Sequence, residues 1–379
     1  MSEIKVNSIK GVAASSAAIT VNNTDGTCTA NLTNKPNRNL IINGAMQVAQ
    51  RGTSFSLTGS GYTLDRFTQS VGSSFNMDTT ITQSTDTPDT FKNSLKVTPD
   101  STQTPTGSHN GTIVTRLEGQ DLAPIGYGTS SCKQITLSFY AKSSSQNNGQ
   151  TYTVQVQKVL SGSQKYVTKT FDITSSWQRF TMNFPADTAT ATETDNSLGM
   201  TIYWHLASGP DDIVAESPNA WVSQNGFRAA TGQSNFMDNT SNEFYLTGVQ
   251  LEVGSVATDF EHRSFGQELA LCQRYYTQSY PHGVAAGSNS PATVLRKLAS
   301  GQGYDDIANF HFPTEMRATP TIALYNPVTG TVNGFRGDGN DFTGATIATA
   351  TTRGVNINRL ATVTATVFTS IHATASAEL

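Results

Sequence analysis

The chain has 379 residues, enough for two ordinary domains and an appendage, and its formal net charge of −4 with scattered Lys and Arg offers no field for neutralising phosphates. Nucleic acid is therefore excluded as a partner. Charged residues make up 14% and the hydrophobic set 36%, with Ser, Thr, Asn, Gln and Gly filling much of the rest, which suits all-β sheets with uncharged polar outer faces and argues against a helix-rich fold.

In residues 1–38, Ile4 and Val6, then Ile19 and Val21, give two-beat hints of strands before an Asn-Asn-Thr-Asp-Gly turn. Too weakly apolar to bury a core, this segment reads as a disordered tail or, the reading favoured, as an extended arm that orders against sister subunits or a docking protein. Its Met-Ser-Glu-Ile-Lys start lacks the apolar centre of a signal peptide, and no later stretch approaches the roughly 20 apolar residues needed to cross a bilayer. Synthesis and assembly in the cytoplasm are expected.

Strands with loops follow over residues 39–262. Apolar residues alternate with polar ones at Ile135, Leu137, Phe139 and Ala141, at Tyr152, Val154 and Val156, at Phe180, Met182 and Phe184, and at Met200, Ile202, Trp204 and Leu206. In 244–253, Leu246 is followed by Gly248 and then by Val249, Leu251 and Val253, a phase change that predicts a bulge at the glycine. Such strands, each burying one face and wetting the other, are what an antiparallel two-sheet sandwich requires, and a jelly roll is the first choice. Trp204, in phase with Met200 and Ile202, and Trp177, whose Ser-Ser-Trp-Gln-Arg-Phe context resembles the strand-entry position of jelly-roll modules, are both expected in the core.

Residues 263–282 break the β pattern. Ser264 begins a Ser-Phe-Gly-Gln capping box, and Phe265, Leu269, Cys272 and Tyr276 recur at helical spacing, which predicts a packed linker helix without a ligand. Residues 283–379 then form a second β unit, a small sandwich or an intersubunit β-unit. Its strands are expected at 307–312, 321–325, 354–357 and 363–371, with Pro313, Pro320 and Pro327 at turns or edges.

Chemical constellations are sparse. Cys28, Cys132 and Cys272 are distant, odd in number and free of CxxC spacing, so they read as small buried side chains. The histidines at 109, 205, 262, 282, 311 and 372 show no HExxH or paired metal spacing, and no GxSxG or Walker loop occurs. A glycan-cleaving site would need two carboxylates held a few ångströms apart, but Asp211, Asp212 and Glu216 in a Gly-Pro-bounded loop, like Asp305 and Asp306, read as solvated charges. No enzyme is expected. Asp338, Asn340 and Asp341 in Gly337-Asp338-Gly339-Asn340-Asp341 resemble the first half of a calcium loop that lacks its closing glutamate, and Asp-Gly alone favours a hairpin turn without metal. No other cofactor is indicated.

Sugars are held by aromatic faces and planar polar side chains, so aromatics outside a strand alternation are the informative ones. Trp221 is such a residue, with Asn219, Gln224, Asn225 and Arg228 beside it, and these five are the candidate glycan contacts. The alternative for Trp221 is loop packing or an intersubunit contact.

Several motifs in order carry a resemblance: NLIINGAMQVAQRG at 39–52, LDRF at 64–67, SFYAKSSS at 138–145 and FYLTGVQLEVGSVATDFEHRSFGQELALCQRYY at 244–276. Together they resemble tail-fibre and related virion proteins of tailed bacteriophages. The opening IKVNSIKGVAASSAAITVNNTDGTCTANLTN is similar to amino-terminal segments of marine-phage proteins, and FHFPTEMRATPTIAL at 310–324 looks like carboxy-terminal domains behind the same helix. The central strands also look like jelly-roll carbohydrate-binding modules. The resemblance implies a virion setting in the tail, assembled in the host cytoplasm, and a homo-oligomer, commonly a trimer. It also implies a docking protein for residues 1–38 and a host-surface glycan or outer-membrane component as ligand.

Three functions fit that setting. A receptor-binding fibre or spike acting by multivalent, shallow contacts is the first reading. A purely architectural fibre shaft, head appendage or collar piece is the second, and a glycan-depolymerase spike the third.

Overall fold

The period-two segments become strands whose apolar sides close on one another. A computed structural model describes residues 8–10, 12, 19–21, 28–30, 36–160, 162–223, 226–300, 306–359 and 366–379. One sheet has six antiparallel strands in the order Gln178–Phe184, Ile135–Ser143, Phe244–Val253, Ser94–Pro99, Thr79–Ser84 and Ser54–Leu57. The facing sheet has seven, in the order Val222–Ser223, Ser163–Asp172, Thr151–Leu160, Leu198–Ser208, Asn110–Glu118, Phe67–Gly72 and Gly61–Tyr62. The chain crosses between the sheets repeatedly, and the all-β jelly-roll sandwich expected from the alternation is what forms.

Leu137, Phe139, Tyr152, Val154, Ile202, Trp204 and Leu251 are fully buried between the sheets. Phe139 meets Trp204 and Phe171 edge-on, at 5.7 and 5.3 Å between ring centroids. Burying each such side chain contributes about 1.5–3 kcal/mol, and edge-on aromatic pairs add about 0.5–1.5 kcal/mol. The predicted bulge is present: the register slips opposite Ser138 and Tyr140, and Gly248 sits at φ +60°. A Cβ there would stand 2.7 Å from the Phe91 ring and 2.8 Å from Tyr140, so any side chain is strained and crowded at this position.

Trp177 departs from expectation. It lies one residue out of phase with Phe180, Met182 and Phe184, and phase decides the face of a strand. The indole is half-buried against Tyr245, away from the core, and its Nε1 donates to Asp86 Oδ1 at 2.9 Å. Of the cysteines, Cys272 is buried and Cys132 half-buried, while the Cys28 side chain lies outside the described residues. Ahead of the sandwich, Ser8–Ile9, Ile19–Val21 and Cys28–Ala30 pair into a three-stranded antiparallel sheet. Ile4 and Val6 lie outside the described residues.

The helix runs Phe265–Gln273 with both hydrogen bonds of the Ser264/Gln267 capping box. Of the stripe read from spacing, Cys272 and Tyr276 are buried and Leu269 is half-buried, whereas Phe265 is 49% exposed and Glu268 takes the inner place beside Cys272. Glu268 is inside because its carboxylate accepts the Asn43 amide and an Arg263 N–H. Tyr276–Gln278 then pairs with Thr366–Ser376, so the carboxy-terminal sheet begins within 263–282.

In that second unit Thr366–Ser376 is the hub, pairing also with Leu295–Ser300, Thr321–Tyr325 and Gly334–Gly337. A second sheet of Asp306–His311, Gly354–Arg359 and Ala345–Thr351 closes the core around Ile307, Leu324, Phe335, Ile357 and Ile371. The expected strand start at Val363 lies outside the described residues. Pro313 and Pro327 follow strands and Pro320 precedes one, the positions where a missing N–H costs no ladder bond.

The two sandwiches meet at a buried polar joint made from the recognisable motifs. Asp65 accepts the Gln50 backbone and side-chain N–H at 2.7 and 2.6 Å. Arg66 pairs with Glu378 and lies 3.5 Å over the Tyr275 ring, and Arg51 reaches Glu378 at 2.9 Å while covering Tyr276 at 3.6 Å. Glu118 accepts two bonds from Arg274, at 2.9 and 2.8 Å, and one from the Tyr275 hydroxyl at 2.6 Å. Burial acts to raise the Glu118 carboxyl, but these donors hold it below its ordinary range; at Asp65 burial prevails over Arg51 and the carboxyl is raised.

Candidate functional site

Strand register sets which side chains share the outer face of the seven-stranded sheet. One row runs Tyr166, Gln157, Thr201 and Arg116; the next runs Thr168, Gln155, Tyr203, Val114 and Thr68; a third runs Thr153, His205, Thr112 and Ser70. Residues 209–223 and 226–235, flanking the candidate contacts Gln224 and Asn225, fold over these rows. Gln155 and Gln157 both donate to the Gly226 carbonyl at 3.1 Å, the Arg228 amide donates to Gln155 Oε1 at 2.9 Å, and the Ala230 amide to Thr153 Oγ1 at 3.0 Å. Phe227 meets Tyr203 edge-on at 5.3 Å. His205 lies fully buried beneath, hydrogen-bonded to Gln155, and burial pushes its pKa down to about 3.

The candidates separate into anchors and exposed groups. Trp221 Nε1 donates to the Pro185 carbonyl at 2.8 Å, and its ring meets Tyr127 edge-on at 5.8 Å. Both rings cover the ammonium of Lys158, at 5.1 and 4.5 Å. Lys158 is wholly buried on the core side of Thr151–Leu160 and pairs with Asp187 at 2.5 Å. Sequence reading passed over this lysine, although it continues the Tyr152, Val154, Val156 phase, which was the signal available. Arg228 pairs with Asp212 at 2.9 Å. Asn219 is exposed, and Gln224 and Asn225 lie outside the described residues.

The same segment reaches a groove at the open edge of the sandwich. An open groove of about 460 Å³ lies between Ser163–Asp172 and Gln178–Phe184, a size within the ligand-pocket range. Phe171, Phe180 and Met182 form the apolar floor, and Lys169, Thr170, Thr181, Asn183 and Glu216 line the rim. Phe171 and Phe180 lie 4.9 Å apart, and Phe180 stacks on Phe139 at 5.4 Å, so the floor is continuous with the core. Glu216 Oε1 accepts the Thr170 amide at 2.7 Å, fixing one wall. Lys169 is held below the ordinary lysine range because burial outweighs the attraction of Glu216. An aromatic floor under convergent donors and acceptors can take a sugar ring, whose C–H patches and hydroxyls need both.

Other candidate groups are placed as follows. Asp212 is not a solvated loop charge: it is 6% exposed, bonded to Asn110 and Arg228, and burial raises its carboxyl. Asp211 is exposed, Asp306 forms an exposed pair with Lys297 at 3.2 Å, and Asp305 lies outside the described residues. Gly334–Gly337 and Asn340–Thr343 pair through a two-residue turn, with Asp338 at φ +50° and Gly339 at φ +84°, the left-handed pair that an Asp-Gly hairpin requires. Asp341 Oδ1 accepts from Arg336 and Asn326, both at 3.0 Å, so this carboxylate is engaged in the hairpin. Among the described residues no group of three or more His, Cys, Asp or Glu could hold a metal ion, and no helix is long and apolar enough to cross a membrane.

No protein-family model matches the chain, and no curated protein matches it. Among solved structures it is similar to the enzymatically active domain of tailspike protein 4 of bacteriophage CBA120, at 12% identity and TM-score 0.30 over 58% of this chain; it spans 22% of that chain. A putative sugar binding protein from Bacteroides thetaiotaomicron is similar at 12% identity and TM-score 0.31, with 57% of this chain and 100% of that one covered. The family 11 carbohydrate-binding module of a Clostridium thermocellum cellulosomal cellulase is similar at 15% identity and TM-score 0.28, with 56% and 99% covered.

Proposed function

We propose that this chain is a non-catalytic phage tail fibre or spike subunit that attaches to a host-surface glycan through the edge groove of its central sandwich. The observation that carries the glycan part is the groove itself, with Phe171, Phe180 and Met182 beneath a rim of Lys169, Thr170, Thr181, Asn183 and Glu216. The virion part rests on the ordered motifs between residues 39 and 276. In this reading Trp221 and Arg228 anchor the covering segment, and Asn219, Gln224 and Asn225 extend the hydrogen-bonding surface. Residues 1–38 dock the subunit on another tail or adaptor protein. A homotrimer repeats a shallow site, and each further contact forms at high effective concentration, so weak single sites suffice.

Competition tests the reading: purified protein added in excess should reduce adsorption of the cognate phage to susceptible cells, and Glu216→Ala protein should compete less well. Failure of the folded wild-type protein to compete on any susceptible host would remove the receptor-binding role. The architectural reading has one observation in its favour, that motif residues Gln50, Arg51, Asp65 and Arg66 build a joint rather than a ligand surface. Antibody against residues 283–379 located along the head or at the tail base, rather than at the outer ends of tail appendages, would favour it.

A further inference from the structure

The outer side of the three-stranded sheet in the second unit has a chemistry unlike the groove's. Register sets His311 opposite Gly354 and Gly354 opposite Thr351, and on the next row Asn309 opposite Asn356 and Asn356 opposite Thr349. Their outer side forms a depression of about 300 Å³ lined by His311, Thr349, Thr351, Arg353, Gly354, Val355 and Asn356. Gly354 leaves its middle without a side chain. Hydroxyl, amide, imidazole and guanidinium groups surround that gap, and no carboxylate lines it. Arg353 is exposed, its backbone N–H is bonded to Thr351 Oγ1 at 3.2 Å, and no carboxylate among the described residues lies within ion-pair distance of its guanidinium. The nearby Glu315 is bonded to Thr352.

A donor-rich depression with an unneutralised guanidinium is complementary to an anion, since guanidinium binds carboxylate and phosphate oxygens through two parallel N–H bonds. The chain as a whole is acidic, at −4, so long-range attraction is not what brings an anion there, and local hydrogen bonding must hold it. Neighbouring threonine and asparagine side chains suit hydroxyls more than a bare ion requires. Space for about one ring lies at the lower end of the ligand-pocket range of roughly 300–1,000 Å³.

We infer that this face of the carboxy-terminal unit binds a sugar unit bearing a carboxylate or phosphate ester, with Arg353 pairing the anionic group and His311, Thr351 and Asn356 meeting it and the adjoining hydroxyls. The inference extends the glycan reading above to a second site and names its charge class. It does not depend on the groove.

Titration calorimetry on the full chain tests it with three probes: a short oligosaccharide containing glucuronic acid, the same oligosaccharide after carboxyl reduction, and inorganic phosphate. Wild-type protein should bind the acidic probe about tenfold or more tightly than the reduced one, and Arg353→Ala should remove about tenfold, the scale of one charge-assisted pair. Affinity should fall as salt rises from about 0.01 to 1 M, where screening shortens from about 30 to 3 Å. The preference for the acidic over the reduced probe should persist in Phe180→Ala protein, or in Glu216→Ala if the former does not fold, which separates this site from the groove. Equal binding of acidic and reduced probes, full affinity in Arg353→Ala, or phosphate alone matching the acidic oligosaccharide would each overturn the assignment.

Discussion

The joint between the sandwiches and the groove at the sandwich edge are both polar, yet they are built oppositely. At the joint, Arg66, Glu378, Asp65 and Glu118 are nearly inaccessible and each charged group meets a fixed partner. At the groove, Thr181 and Glu216 are exposed and Lys169 half-buried over an apolar floor, and among the described residues neither Lys169 nor Glu216 has an ion-pair partner, while Asn183 is bonded to Thr136 and Ser255. A buried charge that loses its partner destabilises the fold, so residue type at the joint is dictated from within; at the groove it is dictated by whatever binds.

The largest expected effect breaks the joint. Arg66→Ala leaves Glu378 buried without that partner and uncovers Tyr275, and should cost about 3–5 kcal/mol in a urea melt while any protein still folded keeps its groove affinity. A loss below about 1 kcal/mol would mean that the joint is solvated and the contrast false.

Acid should act mainly on buried framework groups. His205 is neutral in the fold with a pKa near 3, whereas the unfolded chain takes up its proton near 6.5, so stability should fall as pH drops from about 6.5 towards 3, by up to about 4 kcal/mol. Glu118, depressed by Arg274 and Tyr275, adds to this loss as pH falls below the ordinary glutamate range and through its own lowered value. Melting temperatures recorded against pH should show a shallower slope for His205→Gln, and an unchanged slope would show that the imidazole is reached by water.

Gly248→Ala should cost about 1–3 kcal/mol, since the new Cβ meets Phe91 and Tyr140 in a left-handed backbone position. Differential scanning calorimetry reads this directly. Glu216→Ala should be smallest in stability, within about 1 kcal/mol, because the carboxylate is exposed. It should nonetheless weaken saccharide binding about tenfold, the scale of a lost charged hydrogen bond. If Glu216→Ala instead unfolds the protein, the rim belongs with the framework.

What the sequence made legible follows the same division. Ile135, Leu137, Phe139 and Ala141 announced their face because a strand wets one side and buries the other, and Gly248 announced the bulge by breaking that period. The Ser264 capping box was readable because its partners are local. Lys158 was legible in principle, occupying a core phase that only its pairing with Asp187 makes tolerable, but that partner is 29 residues away and phase alone does not name it. Phe180 read as core, which it partly is; its second role as a groove floor depends on where the Ser163–Asp172 strand ends up, and no local pattern encodes that distance. Trp221 drew attention for being out of alternation, yet its N–H is spent on Pro185, so an aromatic outside a strand period marks a contact without saying whether the contact is internal.

The most direct test of the account is calorimetric titration of wild-type and Phe180→Ala protein with oligosaccharides released from the envelope of a susceptible host, each variant first checked for an unchanged β circular dichroism spectrum. The account predicts saturable binding by wild type and a loss of roughly tenfold or more when the aromatic floor is removed. Equal affinity in the two proteins, or no heat from wild type with any envelope saccharide, would contradict it.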